Sequence, residues 1–459
     1  MGAIFSAWLR SRAARGGPEG LEIASIGLQE AVLGVPAAAA GWPADLSLAV
    51  LSSGGGPLGR WSYLGAPASA RTYLAGELDP GDPLGVLRGR LSGRGDAGVS
   101  PFDGGLLVEL RYELGGLIEP RAFPVGADTP VMTVWELPAA WAHDRESGAW
   151  CRVGDDGVGL PELVAGEPVP ARGSARGSVA GCGAGAGYRS SVARAIEYIR
   201  AGDVYQVNLA HELGGASDLG VRATGLGLLD ASDACFGAYL ERPDGSAVAS
   251  ASPELFLAFD ARTRRLVTRP MKGTRDGAGD AEELRTAEKD RAELNMIVDL
   301  MRNDIGRVAR CGSVEVELER SIETHGARDA SVHQATATVS GELRGGLDVV
   351  DALTAAFPPG SVTGAPKVRA MQLIEELEGF GRGVYCGAIG YLSRCGGAAF
   401  SVAIRTADVR PAAGGGSRLR FPVGAGIVSD SRPDAEWDET LVKSASLRAA
   451  LGVERVVGP

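Results

Sequence analysis

The spacing of apolar and polar positions divides the chain into three stretches. From about residue 21 to 165, short period-two runs such as Leu46–Leu51, Gly105–Leu110 and Pro130–Glu136 alternate with Gly- and Pro-bearing turns and predict strands. Residues 166–187 are rich in Gly, Ala, Ser and Pro and predict a linker. Residues 188–452 predict a second, larger domain. There Tyr188–Ala201 has helical periodicity, and Asp203–Leu209, 247–251, 255–259 and Arg265–Pro270 read as strands. A long helix is expected from about Asp280 to Arg307, because Leu284, Ala287, Ala292, Met296, Val298, Leu300 and Ile305 fall near helical spacing. Ser313–Leu318 predicts a strand. A helix then runs to about Glu378, with Pro366 in its first turn and Gly379 at its end. Strands 387–393, 399–409 and 418–428 predict an antiparallel meander, and a last helix opens near Pro433. Residues 1–20 are expected to be poorly ordered.

Certain polar residues stand out against this pattern. Lys272 follows the 265–270 strand at once, held between a strand end and Gly273. Asp290 and Glu293 lie three apart on one helix face, as do Glu436 and Glu439 on the last helix, with Lys443 four residues on. If the two helices meet, these carboxylates form an oxygen-rich cage suited to Mg²⁺; if not, they are solvated faces. Arg405 ends a strand among small residues, where an anion partner fits better than packing. Glycines break the 421–428 strand at Gly424 and Gly426, which permits close approach of a ligand to the backbone.

Composition narrows the partners. A net charge of −11 argues against nucleic acid and against an anionic membrane, and an anionic substrate would need a local cluster of Lys and Arg. Six scattered cysteines without a Cys-x-x-Cys pair, and four histidines, offer no zinc or iron–sulfur site. Free thiols of this kind suit the reducing cytoplasm. No apolar run approaches the ~18 residues of a membrane span.

The segment Pro-Met-Lys-Gly-Thr at 270–274, followed by Lys-Asp-Arg-Ala-Glu at 289–293 and Ile-Val-Asp-Leu-Met-Arg-Asn-Asp-Ile-Gly-Arg-Val at 297–308, resembles the signature of the chorismate-utilising enzymes. Within them it is most similar to aminodeoxychorismate synthase component I. The resemblance covers about residues 40–450, more strongly from Tyr188 onward. It implies an α/β (α+β) fold like that of anthranilate synthase component I, with antiparallel β-sheets packed as a sandwich and helices outside. It also implies amination of chorismate by ammonia from a separate glutamine amidotransferase subunit. Mg²⁺ would be held by Glu293 and Glu439, with Asp290 and Glu436 in support. Arg405 and Lys443, with the N–H groups of Gly424 and Gly426, would meet the other substrate carboxylate. Gly273, Thr274 and Tyr391 match further contact positions.

By the same resemblance Lys272 would be a covalent nucleophile and Glu254 the general acid. Anthranilate synthases have a small apolar residue where Lys272 stands. Isochorismate and salicylate synthases have a lysine, to activate water, where this chain has Gln206. Two features depart from the family. His333 precedes Gln334, the position at which many relatives have histidine, and is left outside the catalytic set. The run Cys235-Phe-Gly-Ala-Tyr239 lacks the proline of the family's tryptophan pocket, so Trp61 and Tyr239 are assigned to core packing. The alternatives are anthranilate synthase component I, a secondary-metabolite aminodeoxyisochorismate synthase, or a degenerate subunit that only binds a glutaminase.

Overall fold

The computed structural model describes residues 33–54, 59–90, 98, 100–167, 184–232, 234–276, 282, 284, 287–325 and 332–450. The expectations for residues 1–20 and for most of 166–187 lie outside these. Before residue 166 the strands are β1 (Ala49–Ser52), β2 (Trp61–Gly65), β3 (Ser69–Leu74), β4 (Gly105–Leu110), β5 (Pro130–Leu137), β6 (Ala139–Asp144) and β7 (Ala149–Gly154). After it come β8 (Gln206–Ser217), β9 (Phe236–Glu241), β10 (Ala247–Ser252), β11 (Leu255–Asp260), β12 (Arg265–Arg269), β13 (Met271–Asp276), β14 (Glu315–His325) and β15 (Val332–Glu342). The last are β16 (Gly364–Ala365), β17 (Ala388–Ser393), β18 (Ala398–Val402), β19 (Thr406–Pro411) and β20 (Ser417–Ile427).

Two antiparallel sheets result. The first has the order β16-β8-β20-β19-β10-β9-β1-β2-β6-β7; the second has β13-β15-β12-β11-β18-β17-β4-β5-β3, with β14 beside β15. Each sheet therefore draws strands from both sides of residues 166–187. Strands covered on both faces need near-continuous apolar runs, and β5 shows it: Val131, Met132, Val134, Trp135 and Leu137 are all buried. Between the sheets lies an aromatic core in which Tyr63, Phe102 and Tyr391 meet edge to face, with centroids 5.1–6.0 Å apart. Arg242, 5% exposed, fastens the sheets together: it reaches Glu109 on β4 at 2.8 Å and Asp408 on β19 at 2.7 Å.

The sandwich expected from the sequence is the one observed, with four local corrections. The long helix is described over Glu288–Gly306 and is separated by the extended Ala287, at ψ 106, from the helical Glu282 and Leu284, while the expected start near Asp280 lies outside the described residues. Lys272 sits inside β13, since the chain resumes pairing directly after Pro270, which has no N–H to give a ladder. The helix predicted from Tyr188 already opens at Ala184. The run 399–409 is not one strand of a meander: Arg405, at φ +50, breaks it, sending β18 to the second sheet and β19 to the first.

Candidate active site

The edge strand β13 of one sheet approaches β20 and β8 of the other through the Lys272 side chain. Opposite Lys272 on β15 stands Ala335, and opposite Thr274 stands Gln334, so Gly273 is an extra residue in the ladder. Its φ of +70 suits glycine, and the resulting bulge re-aims the lysine beside it. A Cβ at Gly273 would also meet the Asp290 carboxylate at 3.0 Å, which places that carboxylate against the bulge.

Across the gap, Gly426 leaves the space the lysine uses. A Cβ there would lie 2.8 Å from Lys272 Nζ and 3.0 Å from Gln206 Nε2. The Gln206 side chain is fully buried, and neither of its polar atoms has a hydrogen-bond partner among the described residues.

The backbone geometry of β8 and β20 follows from three bonds. Asn208 donates its N–H to the Thr363 carbonyl (2.8 Å) and accepts from Arg382 Nη2 (2.7 Å), while Ala210 N–H goes to Glu378 Oε1 (2.7 Å). Both residues thus turn their peptide groups away from β20. Asn208 with Gly426, and Ala210 with Gly424, are then the non-hydrogen-bonded pairs of this ladder. Gly424 and Gly426 must in turn point their N–H and C=O groups away from β8. They do so past the place where β19 pairing stops, at Asp408 with Arg420. Lys443 Nζ reaches Gly424 O there at 3.3 Å, which fits that direction. N–H groups without a ladder partner among the described residues, close to an ammonium, suit a carboxylate.

Glu254 sits between β10 and β11, 3% exposed, and accepts a 2.5 Å hydrogen bond from Ser361. Burial pushes its carboxyl up to about 7, opposed by the Ser361 bond and by Lys272 and Lys443. Burial also moves Lys272 below the ordinary lysine range; Glu293, Glu254 and Glu439 oppose this and Lys443 assists it. Glu254, Glu293, Glu439 and Lys443 thus all lie within electrostatic reach of the Lys272 amine. An amine pushed toward its neutral form and a carboxyl pushed toward its protonated form, each within the other's field, can serve as nucleophile and proton donor.

Helix Pro433–Lys443 brings the remaining acids. Glu436 is buried and accepts from Ser431 at 2.6 Å, and Glu439 pairs with Lys443 at 2.6 Å. Among the described residues no three of His, Cys, Asp or Glu stand close enough to grip a metal. The donor set is chemically right for a hard cation, since its members are carboxylates from two helices. Among the described residues these carboxylates are not drawn together into a preformed cage.

Arg405 and Tyr391 have other surroundings. Arg405 lies at the crossing between sheets and has no acidic partner among the described residues. Burial lowers its affinity for its proton, with Cys235 opposing. A guanidinium placed this way invites an anion. Tyr391 belongs to the inter-sheet aromatic core, and the side chain of Thr274 is not among those described.

Three supports went unassigned at the sequence level. Ser361 holds Glu254. The ion pair Arg382–Glu378 (2.6 Å, both side chains 1% exposed) stands in for a neighbouring strand along β8. His211 on β8 bonds Thr440 at 2.8 Å and so seats the last helix; burial lowers the imidazole to about 4 and keeps it neutral. A sequence signal existed for the second alone, in the i,i+4 spacing of Glu378 and Arg382.

Residues 171–449 match the protein family described as chorismate binding enzyme. Anthranilate synthase component 1 of Streptomyces coelicolor is 36% identical over 86% of this chain and 81% of its own length. Aminodeoxychorismate synthase component 1 of Escherichia coli is 43% identical over 56% of this chain and 55% of its own length. The crystal structure of anthranilate synthase component I from Streptococcus pneumoniae superposes with a TM-score of 0.71 at 27% identity, covering 85% of this chain and 92% of that one.

Proposed function

The chain belongs to the chorismate binding enzyme family, and from that premise we propose that it aminates chorismate at C4 to give 4-amino-4-deoxychorismate. The observation that carries this reading is the position of Lys272: on a bulged edge strand, its amine against Gly426 and the Gln206 amide, and moved by burial toward the neutral form. Lys272 Nζ forms a bond to C2 of the ring while the C4–O bond breaks. Glu254 supplies the proton that lets the hydroxyl depart as water. Ammonia then bonds to C4, the ring double bonds shift back toward C2, and the C2–N bond breaks with its electron pair returning to the Lys272 nitrogen. The surplus ammonia proton returns to Glu254. A neutral amide at Gln206 cannot activate water as a base, which favours ammonia as the incoming nucleophile.

Arg405, Lys443 and the N–H groups of Gly424 and Gly426 provide for the substrate's carboxylates. Glu293 and Glu439, with Asp290 and Glu436 in support, would hold Mg²⁺, which would neutralise substrate carboxylate charge when bound. Ammonia would come from a glutamine amidotransferase subunit, consistent with relatives named as component 1.

A second reading, anthranilate synthase component I, draws support from the 36% identity that extends over 86% of the chain. Incubation with chorismate, Mg²⁺ and an ammonium salt, followed by mass spectrometry, separates the two. A product that a lyase converts to p-aminobenzoate, absent from Lys272→Ala, supports the first. Fluorescent anthranilate, still formed by Lys272→Ala, supports the second.

A further inference from the structure

Asn208 lies two residues after Gln206 on β8 and therefore projects from the same face. That face is the one turned to Lys272, because a Cβ on Gly426, directly opposite Asn208, would touch both Lys272 Nζ and Gln206 Nε2. Asn208 is 6% exposed, and its Nδ2 is buried with no hydrogen-bond partner among the described residues. Its backbone is fixed at both ends by Thr363 and Arg382, so the side chain starts from a rigid base. Opposite it stands Gly426, which has no side chain to lay over the amide.

A buried amide donor without a partner costs about 1–3 kcal/mol, and native chains retain such groups where a ligand completes them. The same face already presents the unpartnered amide of Gln206, so two neutral amides two positions apart look onto the volume that holds the Lys272 amine. Neither can compete with the lysine for a proton. Both can bind oxygen.

We propose that Asn208 is a further substrate-binding residue, its amide donating a hydrogen bond to an oxygen of the ring dicarboxylate that lies over Lys272. The proposal rests on the chorismate reading above and adds to it a contact outside the set of residues that the family resemblance points to. A uniform binding contact of this kind improves the fit of an oxygenated ring over a plain one without altering the chemistry of the lysine.

The test compares stability with turnover in the full chain. Asn208→Leu replaces the amide by an apolar group of similar size and breaks no hydrogen bond to protein. The expected result is a melting temperature equal to or above that of the wild type, with kcat/KM for chorismate lower by about 10-fold or more. Asn208→Asp, which turns a donor into an anion facing an anionic substrate, should lower kcat/KM further and weaken thermal stabilisation by added chorismate. A lower melting temperature in Asn208→Leu, or kcat/KM within twofold of the wild type in both variants, would overturn the assignment. Wild-type protein that neither binds nor turns over chorismate would overturn both this contact and the reading on which it rests. Normal wild-type turnover with unaffected variants removes the contact alone.

Discussion

Adding one methyl group at Gly426 or at Gly424 should have opposite consequences, although the two glycines are two residues apart on one strand. At Gly426 the new Cβ would stand 2.8 Å from Lys272 Nζ and 3.0 Å from Gln206 Nε2, both at the ends of side chains. Comfortable contact needs about 3.5 Å or more, so the amine must withdraw by roughly 0.7 Å. Rotations along the lysine stem allow this at little cost to the fold. Chemistry is less tolerant, since misplacement of a reacting group by about 1 Å costs on the order of 100-fold in rate. Gly426→Ala should therefore melt near the wild-type temperature and turn over chorismate about 10- to 100-fold more slowly. At Gly424 the Cβ would meet the Leu209 carbonyl oxygen at 2.4 Å, and backbone held in the β8–β20 ladder cannot swing aside as a side-chain end can. Gly424→Ala should lose about 1–3 kcal/mol of stability, read as an earlier thermal transition by circular dichroism. Turnover of chorismate and ammonium, followed by chromatography, gives the rates. A Gly426→Ala enzyme with wild-type activity, or one less stable than Gly424→Ala, would refute the placement of the lysine.

Glu254 gives a pH signature. Its folded-state value of about 7 lies above the usual 4.5, so its contribution to stability is full below about pH 4.5 and is lost as pH rises to about 7, amounting to about 3 kcal/mol. Glu254→Gln should flatten that part of the stability–pH profile and remove the decline in turnover above about pH 7; an unchanged profile excludes Glu254 as the proton donor. Asp408→Ala strips one partner from the buried Arg242 clamp and should destabilise the chain by about 3–5 kcal/mol in urea unfolding, with KM unaffected in whatever fraction folds. Chelation of Mg²⁺ should abolish turnover reversibly, and Glu293→Gln should raise the Mg²⁺ concentration needed for half-maximal rate by at least about tenfold.

The sequence made some of this legible because side-chain chemistry there coincides with local pattern. The last helix with Glu436, Glu439 and Lys443 was visible in its Pro start and its three- and four-residue spacings, and β20 in its glycine-broken run. The cluster around Lys272 was visible through the resemblance of a contiguous motif. What escaped depends on partners distant in sequence. Nothing local in 399–409 tells that Arg405 adopts a positive φ and sends the chain from one sheet to the other. The bulge at Gly273 exists only in the pairing with β15, and Ser361 meets Glu254 across more than a hundred residues. Asn208 reads as an ordinary strand residue until its unbonded amide is seen against Gly426.

The interleaving of early and late strands also sets a timetable for biosynthesis. Strand β4 has β17 as its neighbour, and Leu110 meets Ala388, roughly 280 positions later. A ribosome adding about 5–20 residues per second leaves β4 waiting about 15–55 s for that neighbour. Throughout that interval the nascent chain displays Leu106, Leu107, Val108 and Leu110, which are destined for the interior. Neither half can mature ahead of the other, so the sandwich is completed only after its late strands have been made. Until then it is a client for chaperones that shield apolar strand edges.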